Sequence, residues 1–306
     1  MLSNDDKIII ILGPTCTGKS ELSMRLAGTF DGEIINADSM QVYKHFNIGT
    51  AKPDNAQTDK IPHHLIDIVK PDEEFNAAIF KEKADSSIKD VIKRGKVPIL
   101  VGGTGLYIRV LLYGLFLAPK ETGMRKTLTE EYACNPIQFY EELKNVDLEY
   151  ALRISFRDRV RVVRAMEVFR STGVKMSEWG KIHGFREPHY NALKIGLRRE
   201  RDELYSRINK RVEDMFAAGW FEEVKNILIM GCNEKEKPFS SIGYREILKY
   251  IKGEITREDM VEDIKKHTRH YAKRQFTWFA REKNINWHVY PEEVDGILSA
   301  VSGFLK

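Results

Sequence analysis

The stretch Lys7-Ile-Ile-Ile-Ile-Leu-Gly-Pro-Thr-Cys-Thr-Gly-Lys-Ser20 decides the fold of this 306-residue chain. Its first half is a β-branched apolar run, which is typical of a parallel strand buried on both faces. Its second half matches G-x-x-x-x-G-K-[ST], the pattern of a phosphate-binding loop. Apolar residues then recur at helical spacing, at Leu22, Leu26 and Phe30. A strand, a phosphate loop and a helix in this order predict the start of a P-loop α/β domain.

Further strands and helices alternate along the chain. Apolar runs predict the other strands at residues 33–38, 65–69, 96–101 and 194–197. Helical spacing predicts the helices between the early strands at residues 19–30, 76–94 and 106–115. This alternation predicts an α/β fold with a P-loop NTPase-like, doubly wound parallel sheet.

The pattern changes after Pro119, because residues 122–172 contain helical and polar stretches without a buried strand. We therefore expect a P-loop α/β catalytic core formed by residues 1–117 and 190–306. A helical subdomain is expected as an insertion at residues 118–189. The C-terminal part of the core is expected to form helices at residues 204–219, 221–231, 243–251 and 257–283.

Composition and charge exclude several classes of protein. Cys16, Cys134 and Cys232 form no C-x-x-C pair, which excludes a disulfide framework and a zinc ribbon. The apolar run at residues 8–12 is far short of the roughly 20 residues that span a bilayer. We expect a cytoplasmic, monomeric protein without a membrane partner. The formal charge of +4 is too small to identify a nucleic-acid ligand by itself.

The phosphate loop comprises eight residues, Gly13, Pro14, Thr15, Cys16, Thr17, Gly18, Lys19 and Ser20. In such loops, backbone N–H groups and the positive end of the next helix surround phosphate oxygens, and the lysine adds a charge. The serine hydroxyl ligates Mg²⁺. A diphosphate or triphosphate is the expected ligand, which leaves kinase, ATPase and other transferase functions open. Asp38 lies at the C-terminal end of the second predicted strand and is a second candidate, because ligands of open α/β sheets bind at that edge.

Eight short motifs occur in order along the chain and indicate a family. They are Gly13-Pro-Thr-Cys-Thr-Gly-Lys-Ser20, Asp38-Ser-Met-Gln-Val-Tyr-Lys44, Ile48-Gly-Thr-Ala-Lys-Pro53, Pro62-His-His-Leu-Ile-Asp67, Val101-Gly-Gly-Thr-Gly-Leu-Tyr107, Arg161-Val-Val-Arg-Ala-Met-Glu-Val168, Gly243-Tyr-Arg245 and Lys273-Arg-Gln-Phe-Thr-Trp278. Together they closely resemble the tRNA dimethylallyltransferase (tRNA isopentenyltransferase) family. The sequence lacks the C-terminal zinc finger of eukaryotic members, so it resembles the bacterial type.

The resemblance implies transfer of a dimethylallyl group from dimethylallyl diphosphate to N6 of adenosine 37, beside the anticodon of tRNA, with Mg²⁺ as cofactor. The phosphate loop would then hold the prenyl diphosphate instead of ATP. Asp38 would accept the proton of the adenine amine, or would order Mg²⁺ through water. Thr17 and Lys19 would act with it at the breaking bond, unless Thr17 is only a loop hydroxyl. Arg245 would bind the diphosphate or form a structural salt bridge.

Two basic stretches are candidates for binding the anticodon stem-loop of tRNA. Arginines crowd residues 153–170, and basic residues interleaved with aromatic ones crowd residues 265–283. Basic side chains bind RNA phosphates, and aromatic ones stack on bases or pack in a core. An adenine stacked in a loop must be extruded before its amine reacts, so we expect a channel for a flipped base. By the resemblance, the tRNA contacts are Asp38, Ser39, Met40, Gln41, Thr104, Arg125, Arg161, Arg164, Gly243, Tyr244, Lys273, Arg274 and Gln275.

Three other functions are compatible with the residues. An ATP-dependent small-molecule kinase would share the phosphate loop but would bind ATP and ignore tRNA. An enzyme that prenylates free AMP would need no basic stretches. An RNA-binding NTPase switch would show nucleotide-dependent RNA affinity without prenyl transfer.

Overall fold

The computed structural model describes residues 6–115, 123–183 and 188–306. The strands are β1 Lys7–Leu12, β2 Gly32–Asn36, β3 His63–His64, β4 Val97–Gly102, β5 Asn191–Leu197 and β6 Asn286–His288. The helices are α1 Lys19–Thr29, α2 Asn55–Lys60, α3 Ala77–Lys93, α4 Gly105–Tyr113, α5 Met124–Cys134, α6 Pro136–Val146, α7 Leu148–Ala151, α8 Arg159–Thr172, α9 Met176–His183, α10 Arg201–Ala217, α11 Trp220–Ile229, α12 Tyr244–Ile251, α13 Arg257–Phe279 and α14 Val294–Leu305, with a 3₁₀ turn at Lys237–Ser240.

The chain divides into two compact units. One is formed by Met1–Leu112 with Pro188–Lys306, and the other is Tyr113–Glu187. The boundaries expected from the sequence, residues 118 and 189, lie close to these. A division of this kind follows where a helical insertion leaves the sheet after one strand and returns to it at the next.

The six strands form one sheet in the order β3-β2-β4-β1-β5-β6, and every pair is parallel. The doubly wound α/β class is thereby confirmed. Ile10 of β1 pairs with Leu100 of β4 on one side and with Lys194 of β5 on the other. The carboxyl ends of parallel strands lie at one edge, so the phosphate loop, Asp38 and residues 102–105 follow neighbouring strands there.

The side chains of β1 alternate between the two faces of the sheet, and both faces of this strand are buried. Ile9 and Ile11 pack in the same cluster as Leu22 and Leu26 of α1. Residues 8–12 are at most 1% exposed. Since full burial of one such side chain contributes about 1.5–3 kcal/mol, this strand fixes the start of the phosphate loop within the core.

Two parts of the sheet differ from the sequence prediction. The strand expected at residues 65–69 is wrong, because φ is +63° at Leu65 and +54° at Asp67, and this left-handed backbone interrupts an extended run. The edge strand is instead the two-residue β3. The other difference is β6, which is only three residues long and carries no apolar alternation. The remaining predicted strands and helices are confirmed with small shifts at their ends.

The unit Tyr113–Glu187 is helical in its described part, with α5 to α9 around their own apolar core. Leu128, Phe139, Leu143 and Val162 are at most 3% exposed in that core. Across the described residues of both units, no helix combines the length and apolarity needed to cross a membrane.

A buried ionic cluster ties β2 to its neighbours. Glu33 is 1% exposed, and its carboxylate accepts hydrogen bonds from the guanidinium of Arg94 and from Nε2 of His64, the latter at 2.7 Å. The Arg94 hydrogen bonds, followed by that of His64, lower the pKa of Glu33 to about 2, although burial opposes this shift. The charged form of Glu33 is therefore the one that the fold stabilises.

Replacing Glu33 with glutamine is expected to lower the free energy of unfolding by about 2 kcal/mol at neutral pH, because Arg94 and His64 lose their buried partner. In the unchanged protein this stabilisation is complete above the unfolded pKa of 4.5 and is lost as the pH falls toward 2. Urea unfolding at neutral and acidic pH measures both effects. Asp90→Asn is the matched control, since Asp90 pairs with Arg94 but is 61% exposed. Equal losses in both variants would contradict a special role for the buried carboxylate.

Candidate active site

The phosphate loop has the backbone that its glycines predict. Gly13 has a φ of +139°, and a Cβ atom there would lie 2.4 Å from the carbonyl oxygen of Leu197. Gly18 has a φ of +99° and is the N-cap of α1. The loop therefore turns directly from β1 into the N-terminus of α1, where unpaired N–H groups and the helix dipole favour an anion.

Lys19 supplies a positive charge inside this loop. Its Nζ donates a hydrogen bond of 2.6 Å to the carbonyl oxygen of Pro14. Burial lowers the pKa of Lys19 to about 8; Arg211 lowers it further, while Cys16 and Asp38 oppose the shift. Among the described residues, no carboxylate lies within salt-bridge distance of Lys19, so its charge remains for a ligand.

The two hydroxyls of the loop have different environments. Thr17 is fully buried, and its Oγ1 donates a hydrogen bond of 2.9 Å to the carbonyl oxygen of Pro14. This hydrogen bond is the one expected of a loop hydroxyl, and the contact of Thr17 with the breaking bond stays a prediction. Ser20 is exposed at the start of α1 and lines the cavity described next.

A cavity of about 600 Å³ opens over the loop, within the usual range of about 300–1,000 Å³ for ligand pockets. The larger unit alone lines it. The lining includes Thr15, Cys16, Gly18, Lys19, Ser20, Asn36, Asp38, Gln41, Thr50, Ala51, Arg207, Lys210, Arg211, Asp214, Tyr271 and Gln275. The structure thus brings the predicted phosphate loop together with Asp38, Gln41 and Gln275.

Asp38 lines this cavity, and its two carboxylate oxygens differ in their partners. Its Oδ1 accepts hydrogen bonds from the backbone N–H groups of Met40, at 2.8 Å, and Gln41, at 3.4 Å. Oδ2 has no hydrogen-bond partner within the described part of the chain. The side chain of Asn36 accepts the N–H of Asp38 at 3.1 Å, which fixes the turn after β2. The free oxygen is available to accept a proton or to face a cation.

Gln41 is oriented by its own hydrogen bonds. Its Nε2 donates to the carbonyl oxygens of Thr50, at 2.9 Å, and Ala51, at 3.1 Å. These two acceptors fix which end of the amide is nitrogen, and Oε1 has no partner in the described ranges. Gln41 therefore offers an acceptor beside Asp38 in the cavity.

Arg211 of α10 is the arginine that reaches the phosphate loop, and the sequence interpretation missed it. Its guanidinium donates to Oγ1 of Thr15, at 3.4 Å, and to Sγ of Cys16, at 3.7 Å. It forms no salt bridge with the described residues. The available signal was the spacing of Arg207 and Arg211, four residues apart on one helix, both of which line the cavity.

Arg245, the predicted diphosphate ligand, is positioned differently. Its guanidinium pairs with Glu246 and lies 3.5 Å from Nδ1 of His267. It does not belong to the cavity lining. The structural salt bridge that the sequence left open is therefore the role that these contacts support, and Arg211 replaces Arg245 as the arginine at the loop.

Three residues expected to contact tRNA are instead buried. Gln275 is 6% exposed; its Oε1 accepts the N–H of Thr15 at 2.9 Å, and its Nε2 donates to the carbonyl oxygen of Gly103 at 3.0 Å. Tyr244 is fully buried, and the N–H of Gly243 donates to Glu246 at 2.7 Å. The burial of Gly243 and Tyr244, which do not line the cavity, argues against their direct contact with tRNA. Gln275 does line the cavity, so its contact stays a prediction.

The other predicted tRNA contacts keep accessible surface. In the larger unit, Ser39, Met40 and Thr104 are half-buried, and Lys273 and Arg274 are exposed on α13. In the helical unit, considered by itself, Arg125 is exposed and Arg161 is 57% exposed. Arg164 is less accessible, because it pairs with Glu167 at 2.7 Å.

The residues present fit Mg²⁺ as a partner of a bound phosphate. Mg²⁺ prefers oxygen ligands and usually keeps waters beside one or two protein oxygens and substrate phosphates. Ser20 and Asp38 contribute such oxygens to the cavity lining. No cluster of three His, Cys, Asp or Glu side chains forms a metal site by itself in the described ranges. The fit is therefore to an ion held in part by a substrate.

The fold and this site define a P-loop α/β protein in which an anion cradle and a free carboxylate share one cavity. Residues 41–282 match the family model IPPT, IPP transferase. The chain therefore belongs to the IPP transferase family and is a transferase. It is the membership of this family that argues against the small-molecule kinase considered from the sequence.

Relatives of this chain carry matching names over almost its entire length. It is 48% identical to tRNA dimethylallyltransferase 2 of Geotalea uraniireducens, with 99% of both chains covered. It is also 41% identical in sequence to tRNA delta(2)-isopentenylpyrophosphate transferase from Staphylococcus epidermidis, whose crystal structure is known. The match between the two structures covers 97% of this chain and 99% of that one, with a TM-score of 0.71. A structure of eukaryotic dimethylallyltransferase acting on tRNA is 31% identical, covers 97% and 77% of the respective chains, and has a TM-score of 0.82.

Replacing Arg211 with methionine is expected to raise the Kd of a prenyl diphosphate by about 10- to 100-fold, because a charged hydrogen-bond donor at the phosphate loop is lost. Arg245→Met is the matched control and should leave this Kd within about twofold, since Arg245 pairs with Glu246 instead. Calorimetric titration with dimethylallyl diphosphate measures both values. The reverse order of effects would restore Arg245 as the diphosphate ligand.

Proposed function

We propose that this protein transfers the dimethylallyl group of dimethylallyl diphosphate to N6 of adenosine 37 in tRNA, and releases diphosphate. The observation that carries the proposal is the free Oδ2 of Asp38 in the same cavity as the phosphate loop. Relatives named tRNA dimethylallyltransferase support the choice of substrates. We further propose that the protein acts in the cytoplasm, on the tRNA that it modifies.

The part of the cavity formed by the phosphate loop and Arg211, called the donor half, stabilises the diphosphate leaving group. As the allylic C–O bond breaks, negative charge develops on the diphosphate. The N–H groups at the start of α1, together with Lys19 and Arg211, are arranged to meet this charge. Ser20 would contribute a hydroxyl ligand to a bound Mg²⁺, and that ion would neutralise part of the same charge.

The part of the cavity around Asp38 and Gln41, called the acceptor half, activates the adenine amine, which is a weak nucleophile. The adenine amine attacks the allylic carbon of the donor, the C–O bond to diphosphate breaks, and the amine must then lose a proton. Oδ2 of Asp38 accepts that proton, because Oδ1 is already held by Met40 and Gln41. The free Oε1 of Gln41 is placed to accept the second N–H of the amine.

Access to the amine requires an adenine that has left the stack of its RNA loop. The exposed Lys273 and Arg274 on α13 lie on the same helix as Tyr271 and Gln275, which line the cavity. Phosphate contacts on this helix would therefore hold RNA near the cavity. The exposed Arg125 and Arg161 supply the same chemistry on the helical unit.

A nucleoside analysis tests the proposed function. The purified protein is incubated with unmodified tRNA, Mg²⁺ and dimethylallyl diphosphate, with ATP replacing the donor in a parallel reaction. The tRNA is then digested and its nucleosides are analysed by mass spectrometry. We expect a dimethylallyl adduct on adenosine only with the diphosphate donor. Absence of the adduct on several tRNAs, together with ATP turnover, would overturn the proposal.

A further inference from the structure

Glu223 of α11 binds a loop that borders the cavity, although Glu223 is not itself part of the cavity lining. Its Oε2 accepts the backbone N–H groups of Asn47, at 3.0 Å, and Ile48, at 2.8 Å. Its Oε1 accepts the N–H of Gly49, at 3.5 Å, and the hydroxyl of Tyr244, at 2.6 Å. One carboxylate thus gathers three consecutive amides of a turn distant from it in sequence.

Close packing holds the same turn against α11. A Cβ atom at Gly49 would lie 2.1 Å from Nε1 of Trp220, and one at Gly243 would lie 1.9 Å from Cη2 of the same indole. Trp220 is 2% exposed and Tyr244 is fully buried. The turn at residues 47–51 therefore rests on a rigid base, and Glu223 fixes its amides to that base.

The turn at residues 47–51 also fixes the side chains in the acceptor half of the cavity. The carbonyl oxygens of Thr50 and Ala51 bind Nε2 of Gln41, which sets the orientation of that amide. The N–H of Gln41 binds Oδ1 of Asp38. A continuous series of hydrogen bonds thus runs from Glu223 through the turn and Gln41 to the proposed base.

We infer that Glu223 is a positioning residue for the acceptor adenine: it holds the turn at residues 47–51 so that Gln41 and Asp38 present Oε1 and Oδ2 together to the incoming amine. This inference rests on the proposed function. The donor half has different supports, because the phosphate loop is held by Gln275 and contacted by Arg211. Glu223 therefore acts on the RNA side of the reaction and leaves diphosphate binding unchanged.

Chemistry distinguishes glutamate from glutamine at this position. A carboxylate accepts four hydrogen bonds with two oxygens, whereas an amide of similar size has one acceptor oxygen and places an NH₂ group against backbone N–H groups. Glu223→Gln thus removes the acceptor for part of the turn while it retains the volume. Misplacement of reacting groups by about 1 Å costs about 100-fold in rate, so a loosened turn has a measurable consequence.

The test compares Glu223→Gln with Glu222→Gln, a neighbouring exposed glutamate on the same helix. We expect kcat/KM for unmodified tRNA to fall by about 10- to 100-fold in Glu223→Gln. The KM for dimethylallyl diphosphate and the Kd for that donor should stay within about twofold of the unchanged protein. Glu222→Gln should match the unchanged protein in all three quantities.

Hydrogen exchange provides a readout that does not depend on catalysis. The amides of residues 47–49 should exchange faster in Glu223→Gln, while those of the phosphate loop should not change. Unchanged exchange at residues 47–49 overturns the inference, whether or not the protein modifies tRNA. Faster exchange with an unchanged kcat/KM for tRNA also overturns it. A parallel loss of donor affinity overturns it as well, because the turn would then not act on the acceptor alone. If the unchanged protein forms no adduct, the proposed function fails and the role of Glu223 toward the adenine fails with it, while exchange still decides whether Glu223 anchors the turn.

Discussion

Asp38→Asn is expected to lower kcat for dimethylallyl transfer by about 10²- to 10⁴-fold, the range typical of general-base assistance. Asparagine keeps an Oδ1 that accepts the N–H groups of Met40 and Gln41, so the turn after β2 is retained. What is lost is the free oxygen that accepts the proton of the amine. Single-turnover measurements with saturating donor and tRNA isolate this effect from binding.

A control variant and the dependence on Mg²⁺ concentration distinguish the possible roles of Asp38. Asp214→Asn is the matched control, because Asp214 lines the same cavity but has a 62% exposed side chain that lies 3.5 Å from Lys210. The kcat of this variant should change by less than about threefold. Raising the Mg²⁺ concentration should not restore Asp38→Asn. Restoration by Mg²⁺ would assign Asp38 to the metal through water, and an unchanged kcat would remove it from the mechanism.

Lys19→Ala is expected to lower kcat/KM for dimethylallyl diphosphate by about 10³-fold, because it deletes a half-buried charge that meets both the bound donor and the developing charge on the leaving group. Part of this loss should fall on kcat, since the charge of the leaving group grows as the C–O bond breaks. Steady-state kinetics over a wide range of donor concentration separate the two parts. Wild-type kinetics at every concentration would refute the assignment.

The lowered pKa of Lys19 adds a dependence on pH. Below about 8 the ammonium is charged in the free protein and attracts the diphosphate; above about 8 a proton must be taken up before the same contact forms. A bound anion raises that pKa again, so the Kd should rise by up to about tenfold per pH unit above about pH 8. Lys19→Arg should abolish this rise, because arginine stays charged. Identical profiles for lysine and arginine would place the titration elsewhere.

Local patterns in the sequence predicted the parts of the site that adjoin the strands. The run from Lys7 to Ser20 specifies a buried strand, a turn and a helix within one contiguous segment, so its contacts are short in sequence. Asp38 was found for a related reason, since it lies two residues after the end of β2, at the edge where ligands bind. The family motifs extended this prediction to Gln41 and to the choice of substrates, because they occur in a fixed order over most of the chain.

The sequence by itself therefore determined the α/β class, the phosphate loop and the carboxylate beside it, because strand burial, glycine backbone and strand ends are local properties. Only the tertiary structure decided which distant residues serve them. Arg211 lies 196 positions from Thr15, and Gln275 lies 260 positions from it. Motif spacing could not show that Gln275 is buried, or that Glu223 binds the turn at residues 47–49. Those roles depend on how α10, α11 and α13 pack over the sheet edge, and packing is a property of the whole folded chain.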